Sequence, residues 1–225
     1  MKNLKTLTAL LMLALTLTFT VAAQKTDDKF NKIPLVKTDS SEYKTLVEKA
    51  KQGDSSVDYV KMRAAFLDWV NDECNQTDAP DRDKMVKAFE SKDWAKSVEL
   101  GEKVLDYEFV NRGLHLAVAN SYKELKNAEK EKYHNDIADK LLKALLASGD
   151  GKTPKTAYKV HSIREEYIIM KELGYKVNSQ SLIFDKEYGS FDVLAGKDAN
   201  EKSGEFYFDI NSFFGGGQSK PCKVN

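Results

Sequence analysis

The chain has 225 residues, and its 35 lysines and arginines are matched by 35 aspartates and glutamates. Without a basic surplus it lacks the counterion-release drive that carries non-specific binding to nucleic acid. With 41% hydrophobic and 10% aromatic residues, its composition is that of a globular chain rather than a disordered one, long enough for one domain or two small ones.

Residues 1–23 read as a cleavable secretory signal peptide. Lys2 and Lys5 form a positive start, Leu7 to Val21 is an uncharged run of Leu, Ala, Thr, Met and Phe, and Val21 and Ala23 put small side chains at the −3 and −1 positions. Cleavage is expected between Ala23 and Gln24. The alternative is a retained anchor, but the uncharged stretch is at the lower limit of ~17 residues for spanning a bilayer, and its five threonines, counted from Thr6, weaken it. No cysteine ends the run to take a lipid, and no later stretch reaches the ~18 apolar residues of a membrane helix. The expected product is exported, to the periplasm or the medium, and soluble. Removal takes two lysines from the 35 basic residues and none of the 35 acidic ones, leaving 33 against 35, a net charge of about −2.

Residues 24–38 are polar and contain Pro34, as in an extended leader. Asp39 and Glu42 have capping-box spacing, and Tyr43, Leu46, Val47 and Ala50 fall on one helical face before Gly53-Asp54 interrupts. A second helix carries Val57, Val60, Met62, Ala64, Ala65, Phe66, Trp69 and Val70, and residues 71–81 form a polar loop. A third helix starts near Pro80 and buries Met85, Val86 and Phe89. The fourth runs from Asp93-Trp94 to Tyr107 with Trp94, Val98, Val104 and Leu105 inward. Two longer helices follow, over about 111–125 (Leu114, Val118, Ala119, Tyr122, Leu125) and 128–147 (Ile137, Ala138, Leu141, Leu142, Leu145), with Gly149 as C-cap.

After Gly151 the pattern changes. Thr156 to His161 reads as a short strand. Ser162 and Glu165 form a second capping box, opening a helix of Ile163, Tyr167, Met170 and Leu173 that Gly174 closes. Residues 176–184, 190–195 and 205–210 have a period of two and read as strands. In the last, Phe206, Phe208 and Ile210 oppose Tyr207 and Asp209. The expected fold class is α+β: an antiparallel helix stack over 39–150, a compact β-α-β-β-β unit with a mainly antiparallel sheet over 151–214, and a glycine-rich flexible tail over 215–225.

The run from Asp93 to Gly101 resembles the second helix of a tetratricopeptide repeat, and Leu116 to Leu125 the first helix of the next. Glu131 departs from the pattern, standing where alanine is usual. A wider resemblance, to the exported bacterial family of unknown function DUF4919, is carried by several segments. They are Ala138-Asp139-Lys140-Leu141-Leu142, the run Ser148 to Ala157, Glu165-Glu166-Tyr167, Leu173-Gly174, Gln180-Ser181-Leu182 and Tyr207-Phe208-Asp209-Ile210. That resemblance implies a bacterial source, export, and tetratricopeptide-like helices followed by a small sheet. It implies no activity.

Few residues invite chemistry. Gly151-Lys152-Thr153 suggests a phosphate loop, but Leu146 occupies the position of the required first glycine and a helix precedes it, so a turn is the better reading. His115, His134 and His161 lack metal-ligand spacing. His115 reads as a packing residue, His134 as lying among charges, and His161 as a surface residue. Glu165 and Glu166 are adjacent and diverge on a helix, and there is no Gly-x-Ser-x-Gly elbow. Phe213-Phe214 before three glycines reads as a core edge, with a small binding lip as the alternative. Asn75-Gln76-Thr77 is a glycosylation sequon only in a eukaryotic secretory context. Cys74 and Cys222 either pair, closing a loop of about 149 residues, or remain two thiols.

No catalytic, metal-binding or cofactor-binding set is expected. The leading expectation is a non-enzymatic module of the bacterial envelope that binds a protein or peptide on the concave side of its helices. The alternative is a small-ligand protein or enzyme with a site between helices and sheet.

Overall fold

The structure, a computed structural model, describes residues 40–70 and 82–214. The signal segment with its Ala23–Gln24 cleavage point, the leader and Asp39, the loop with Cys74, Pro80 and the sequon, and the tail with Cys222 lie outside the described residues. Within them the chain is α+β, with seven helices and a four-stranded, mostly antiparallel sheet.

Helices α1 (Ser40–Lys51) and α2 (Tyr59–Val70) form a pair whose inward stripes are Tyr43, Val47 and Ala50 on one and Tyr59, Met62, Ala65, Phe66 and Trp69 on the other. These spacings of three and four place each set on one side of its helix. The Tyr43 ring lies 5.2 Å from Phe66 and 5.1 Å from Trp69. Its hydroxyl accepts the Phe109 N–H at 2.8 Å and donates to the Tyr107 carbonyl at 3.3 Å. The Tyr43 hydroxyl is thereby satisfied, as a buried phenol requires.

Four helices follow as two hairpins: α3 (Arg82–Glu90) with α4 (Trp94–Tyr107), and α5 (Arg112–Glu124) with α6 (Ala128–Leu146). Asp93, Asn111 and Asn127 cap the last three, each side chain accepting a backbone N–H three residues on at 3.1 Å. Each cap contributes about 1 kcal/mol. Where α4 crosses α5 the contact is made by small residues. Ser97 and Ser121 share a buried hydroxyl hydrogen bond of 2.9 Å, and a methyl added at Gly101 would come 2.5 Å from Val118 Cγ2. The α1–α2 pair packs chiefly on α6, where Ile137, Leu141 and Ala144 join Phe109 and Val110 against it. Among the described helices α3 packs chiefly on α4, with Met85 joining Val104, Leu105, Leu114 and Val118 in one cluster, so Met85 and Ala88 are buried while Val86, expected inside, is exposed. Leu125, at the end of α5, is exposed as well.

Residues from Gly151 onward build the sheet unit. A 3-10 turn at Pro154–Thr156 leads into β1 (Tyr158–Lys159), then come α7 (Ile163–Glu172), β2 (Lys176–Asp185), β3 (Gly189–Lys197) and β4 (Ser203–Asp209). The strand expected over 156–161 is thus only two residues long, because Pro154 starts a turn and only Tyr158 and Lys159 pair, in parallel, with Phe208 and Asp209. The sheet order is β1-β4-β3-β2. On one face Leu194, Phe206, Phe208 and Ile210 pack against Ile169 and Met170 of α7 and Leu145 of α6. On the other, Phe191 and Val193 cluster with Ala157, flanked by Tyr188 and Tyr207. Gly149 is not the C-cap of α6, which ends at Ala147 in right-handed helical geometry. A side chain at Gly149 would instead strike the Thr156 and Ala157 carbonyls, and Gly151 takes the left-handed turn at φ +68°.

Candidate functional site

Two places concentrate polar chemistry or exposed apolar surface. The first lies inside the helical layer, where the α5–α6 hairpin brings together His115 and His134, 19 positions apart in sequence. Both rings are buried, at 0% and 1% exposure. His115 Nε2 lies 2.8 Å from the Phe109 carbonyl, which can only accept, so this nitrogen carries the proton. His115 is held neutral, its pKa pushed down to about 3 by burial and then by the facing His134, so its Nδ1 is an acceptor. His134 Nδ1, 3.0 Å away, therefore donates to it. His134 Nε2 then lies 3.1 Å from Glu102 Oε1, which also accepts the Tyr122 hydroxyl at 2.9 Å.

Burial works to raise the Glu102 carboxyl, but the hydrogen bond and charge of His134, the Tyr122 hydroxyl and Lys130 outweigh it and hold the group below its ordinary value. Burial and the carboxylate push Tyr122 up to about 12. A cleft of about 450 Å³ opens against this network, with Leu105, Phe109 and Tyr133 in its walls and Lys51, Asp106, Glu129 and Lys130 at its polar positions. Lys51 is already bound to Asp106 at 2.7 Å. Because both rings are covered and mutually bonded, the histidines fix α4, α5 and α6 to one another. His134, read as lying among charges, is a core residue: its helix turns the surrounding acids and lysines outward and this ring inward.

The third histidine is elsewhere, at the junction of helices and sheet. Arg63 of α2 grips Glu165 at the start of α7 through two bonds of 2.7 and 2.9 Å and also reaches the Lys159 carbonyl at 3.3 Å. Glu165 accepts the His161 N–H at 2.7 Å, and the His161 ring lies 5.8 Å from Phe66. Burial, then the Arg63 charge, lowers the His161 pKa to about 3, so the surface role expected for it is replaced by packing. Ser162 makes no capping bond. The expected capping box is not formed, because a guanidinium from 102 positions away occupies the carboxylate that would have completed it.

The second place is the outer margin of the sheet unit. Among the described residues β2 is an edge strand, paired with β3 and with nothing on its other side. Leu182, Ile183 and Phe184 are all exposed, Phe184 at 60%. Leu182 and Phe184 share a face with Gln180, by the alternation of a strand. Gln180 Oε1 accepts a long bond of 3.4 Å from the exposed Tyr167 of α7. One helical turn before Tyr167 stands Ile163, 53% exposed, and the Phe184 ring lies 6.2 Å from Phe214. Ile163 and Tyr167, which open the apolar stripe expected on this helix, are thus both exposed. Phe213 and Phe214, read as a core edge, are both partly exposed, at 36% and 42%.

Behind this surface two carboxyls meet. Asp192 of β3 stands directly opposite Leu182, 8% exposed, and accepts a 2.7 Å bond from Gln180 Nε2. Glu166 of α7 is fully buried and neither of its oxygens accepts a hydrogen bond. Burial, then the charge and hydrogen bond of Asp192, raise its pKa to about 8. At neutral pH Glu166 is the acid and gives its proton toward Asp192. Adjacent in sequence, Glu165 and Glu166 thus diverge as expected, one to Arg63 and one to Asp192.

Among the described residues no group of three or more His, Cys, Asp or Glu is arranged to hold a metal ion, and no helix is long and apolar enough to cross a membrane. A family model, Domain of unknown function (DUF4919), matches residues 31–215, and the chain belongs to that family. No curated protein and no solved structure matches it.

Proposed function

We propose that this member of the DUF4919 family is an exported, non-enzymatic module that binds an extended segment of a partner protein as an added strand on the free edge of β2. The observation that carries the reading is the exposed run Leu182-Ile183-Phe184 on an edge strand of ten residues. A long apolar edge offers unpaired backbone donors and acceptors together with side-chain contacts on alternate positions, the two elements of strand addition. Ile163, Tyr167 and Phe214 widen that surface beyond the scattered exposed hydrophobics of an ordinary monomer. The apolar surface is on the sheet, so the proposed docking site moves there from the helices. Export, to the periplasm or the medium, rests on the signal-like residues 1–23.

The test is a set of alternating apolar–polar octapeptides presented to the full chain and to the double variant Leu182→Lys with Phe184→Lys. Peptides held by the parent and lost by a variant of unchanged unfolding temperature support the reading. Equal retention by both proteins overturns it.

The cleft beside Glu102 favours a second reading, a small zwitterionic ligand held between Lys130 and the acids Glu102 and Glu129. Replacing Tyr133 by Ala would then weaken uptake of amino acids or dipeptides measured by equilibrium dialysis, and an unchanged profile removes that reading.

A further inference from the structure

The carboxyl pair behind the edge strand is more than a neighbour of the docking surface. Burying a carboxyl with no donor is costly, and two facing carboxyls are costlier still unless a proton or cation lies between them. Glu166 is at 0% exposure with neither oxygen accepting a hydrogen bond, and Asp192 is at 8%. The groups facing Glu166 are Asp192 from β3 and, through it, the Gln180 amide of β2. β4 contributes Phe206 and Phe208 to the same packed layer, and Glu165 on α7 is engaged by Arg63. Among the described residues no lysine, arginine or histidine forms an ion pair with either member.

Register puts this pair one strand in from the free edge, since Asp192 is the cross-strand partner of Leu182. A strand added to β2 would lie about 4.8 Å beyond it and about two such spacings from β3. A lysine or arginine on that strand can lay its methylene stem over Leu182 and Phe184 and bring its charged head to Asp192, as long cationic side chains do along apolar surface. We propose that the docked segment carries a basic residue at the position facing Leu182, and that the Glu166–Asp192 pair is its receptor.

The inference rests on the strand-addition reading and specifies its partner: an extended, apolar segment with one lysine or arginine. The proton balance is simple. The pair starts with one proton, on Glu166; the arriving ammonium or guanidinium keeps its own, and the Glu166 proton leaves to solvent. Both carboxylates then face one cation.

Isothermal titration of the full chain with alternating valine–threonine octapeptides, each with a single lysine at a varied position, tests this against the same peptides with norleucine in place of lysine. At pH 8 one lysine position should bind at least about tenfold more tightly than its norleucine twin, the scale of a hydrogen bond to a buried charge. Near pH 7 that complex should release up to one proton, read from buffers of different ionisation heat. The advantage should shrink toward pH 6 and vanish in Asp192→Asn, whose norleucine binding is unchanged and certifies its fold. Equal affinity of the twins at every position overturns the cation receptor while leaving strand addition standing. Binding of neither twin at any position contradicts strand addition itself.

Discussion

Arg63 and Glu165 are joined by two parallel hydrogen bonds of 2.7 and 2.9 Å, with the guanidinium almost fully covered. This fork ties α2, early in the chain, to the first turn of α7, so it couples the helical layer to the sheet unit. Removing one partner strands the other as a buried charge. Arg63→Ala or Glu165→Ala should each destabilise the chain by about 3–5 kcal/mol, read as a loss of midpoint in urea unfolding. The double variant Arg63→Met with Glu165→Leu should recover most of that loss. A single variant within 1 kcal/mol of the parent, on the order of a surface substitution, would show that the fork is not a clamp.

The histidine pair makes a spectroscopic prediction. Nitrogen NMR of the full chain should show His115 as the neutral Nε2–H tautomer from pH 5 to 8, consistent with its pKa near 3. Glu102→Leu removes the hydrogen-bond partner of His134 Nε2 and should destabilise the chain by about 1–3 kcal/mol. A His115 ring that titrates near its ordinary value would overturn the assigned hydrogen-bond directions.

Stability should peak close to pH 6.5. His115 and His161 refuse protons in the folded state down to about pH 3, whereas the unfolded chain takes them near 6.5. Their contribution is fully present above pH 6.5 and is lost as the pH falls toward 3. Glu166 has the opposite sign: folded it holds its proton to about pH 8, unfolded only to its ordinary value of 4.5, so stability is lost as the pH rises between the two. Above 6.5 Glu166 acts alone, and below it the two histidines outweigh it. Each unmatched proton gives about 1.4 kcal/mol per pH unit. Chemical unfolding from pH 5 to 9 should therefore give a maximum, and Glu166→Gln should flatten its alkaline side. An alkaline decline that survives this substitution would remove Glu166 as its source.

Gly101 is held small by the opposing helix rather than by its backbone. Alanine gains about 1 kcal/mol of helix propensity there, but its methyl would sit 2.5 Å from Val118, and overpacking of this kind costs about 1–3 kcal/mol. Gly101→Ala should lower the unfolding temperature, and adding Val118→Ala should restore it. If the single variant is stabilised, α4 and α5 do not approach as closely as described.

Much of this fold was legible because it is written in local periodicity. Tyr43, Val47 and Ala50, or Phe206, Phe208 and Ile210, announce a buried face within a few residues. The misses share a cause, which is a partner far away in sequence. The β1 strand is set by pairing with Phe208 and Asp209, some fifty positions on, and not by its own pattern. The Ser162–Glu165 box had the right spacing and failed because Arg63 took the carboxylate. His134 sits in a charged stretch, and only the phase of α6 against α5 turns it inward to His115. Glu166 looks like any surface glutamate until β3 brings Asp192 to it. The apolar edge was in plain view as Leu182-Ile183-Phe184, but the pattern over 176–184 marks a strand without saying which neighbours it has. Its place at the sheet margin comes from the β1-β4-β3-β2 order.

The central claim is that β2 accepts a partner strand, and amide hydrogen exchange of the full chain, with and without a retained octapeptide, tests it most directly. The account predicts that the β2 amides between Ser179 and Asp185 that do not bond to β3 become protected on binding, and that Leu182→Lys with Phe184→Lys abolishes the effect. Binding that protects amides of the helices and leaves β2 unchanged would contradict it.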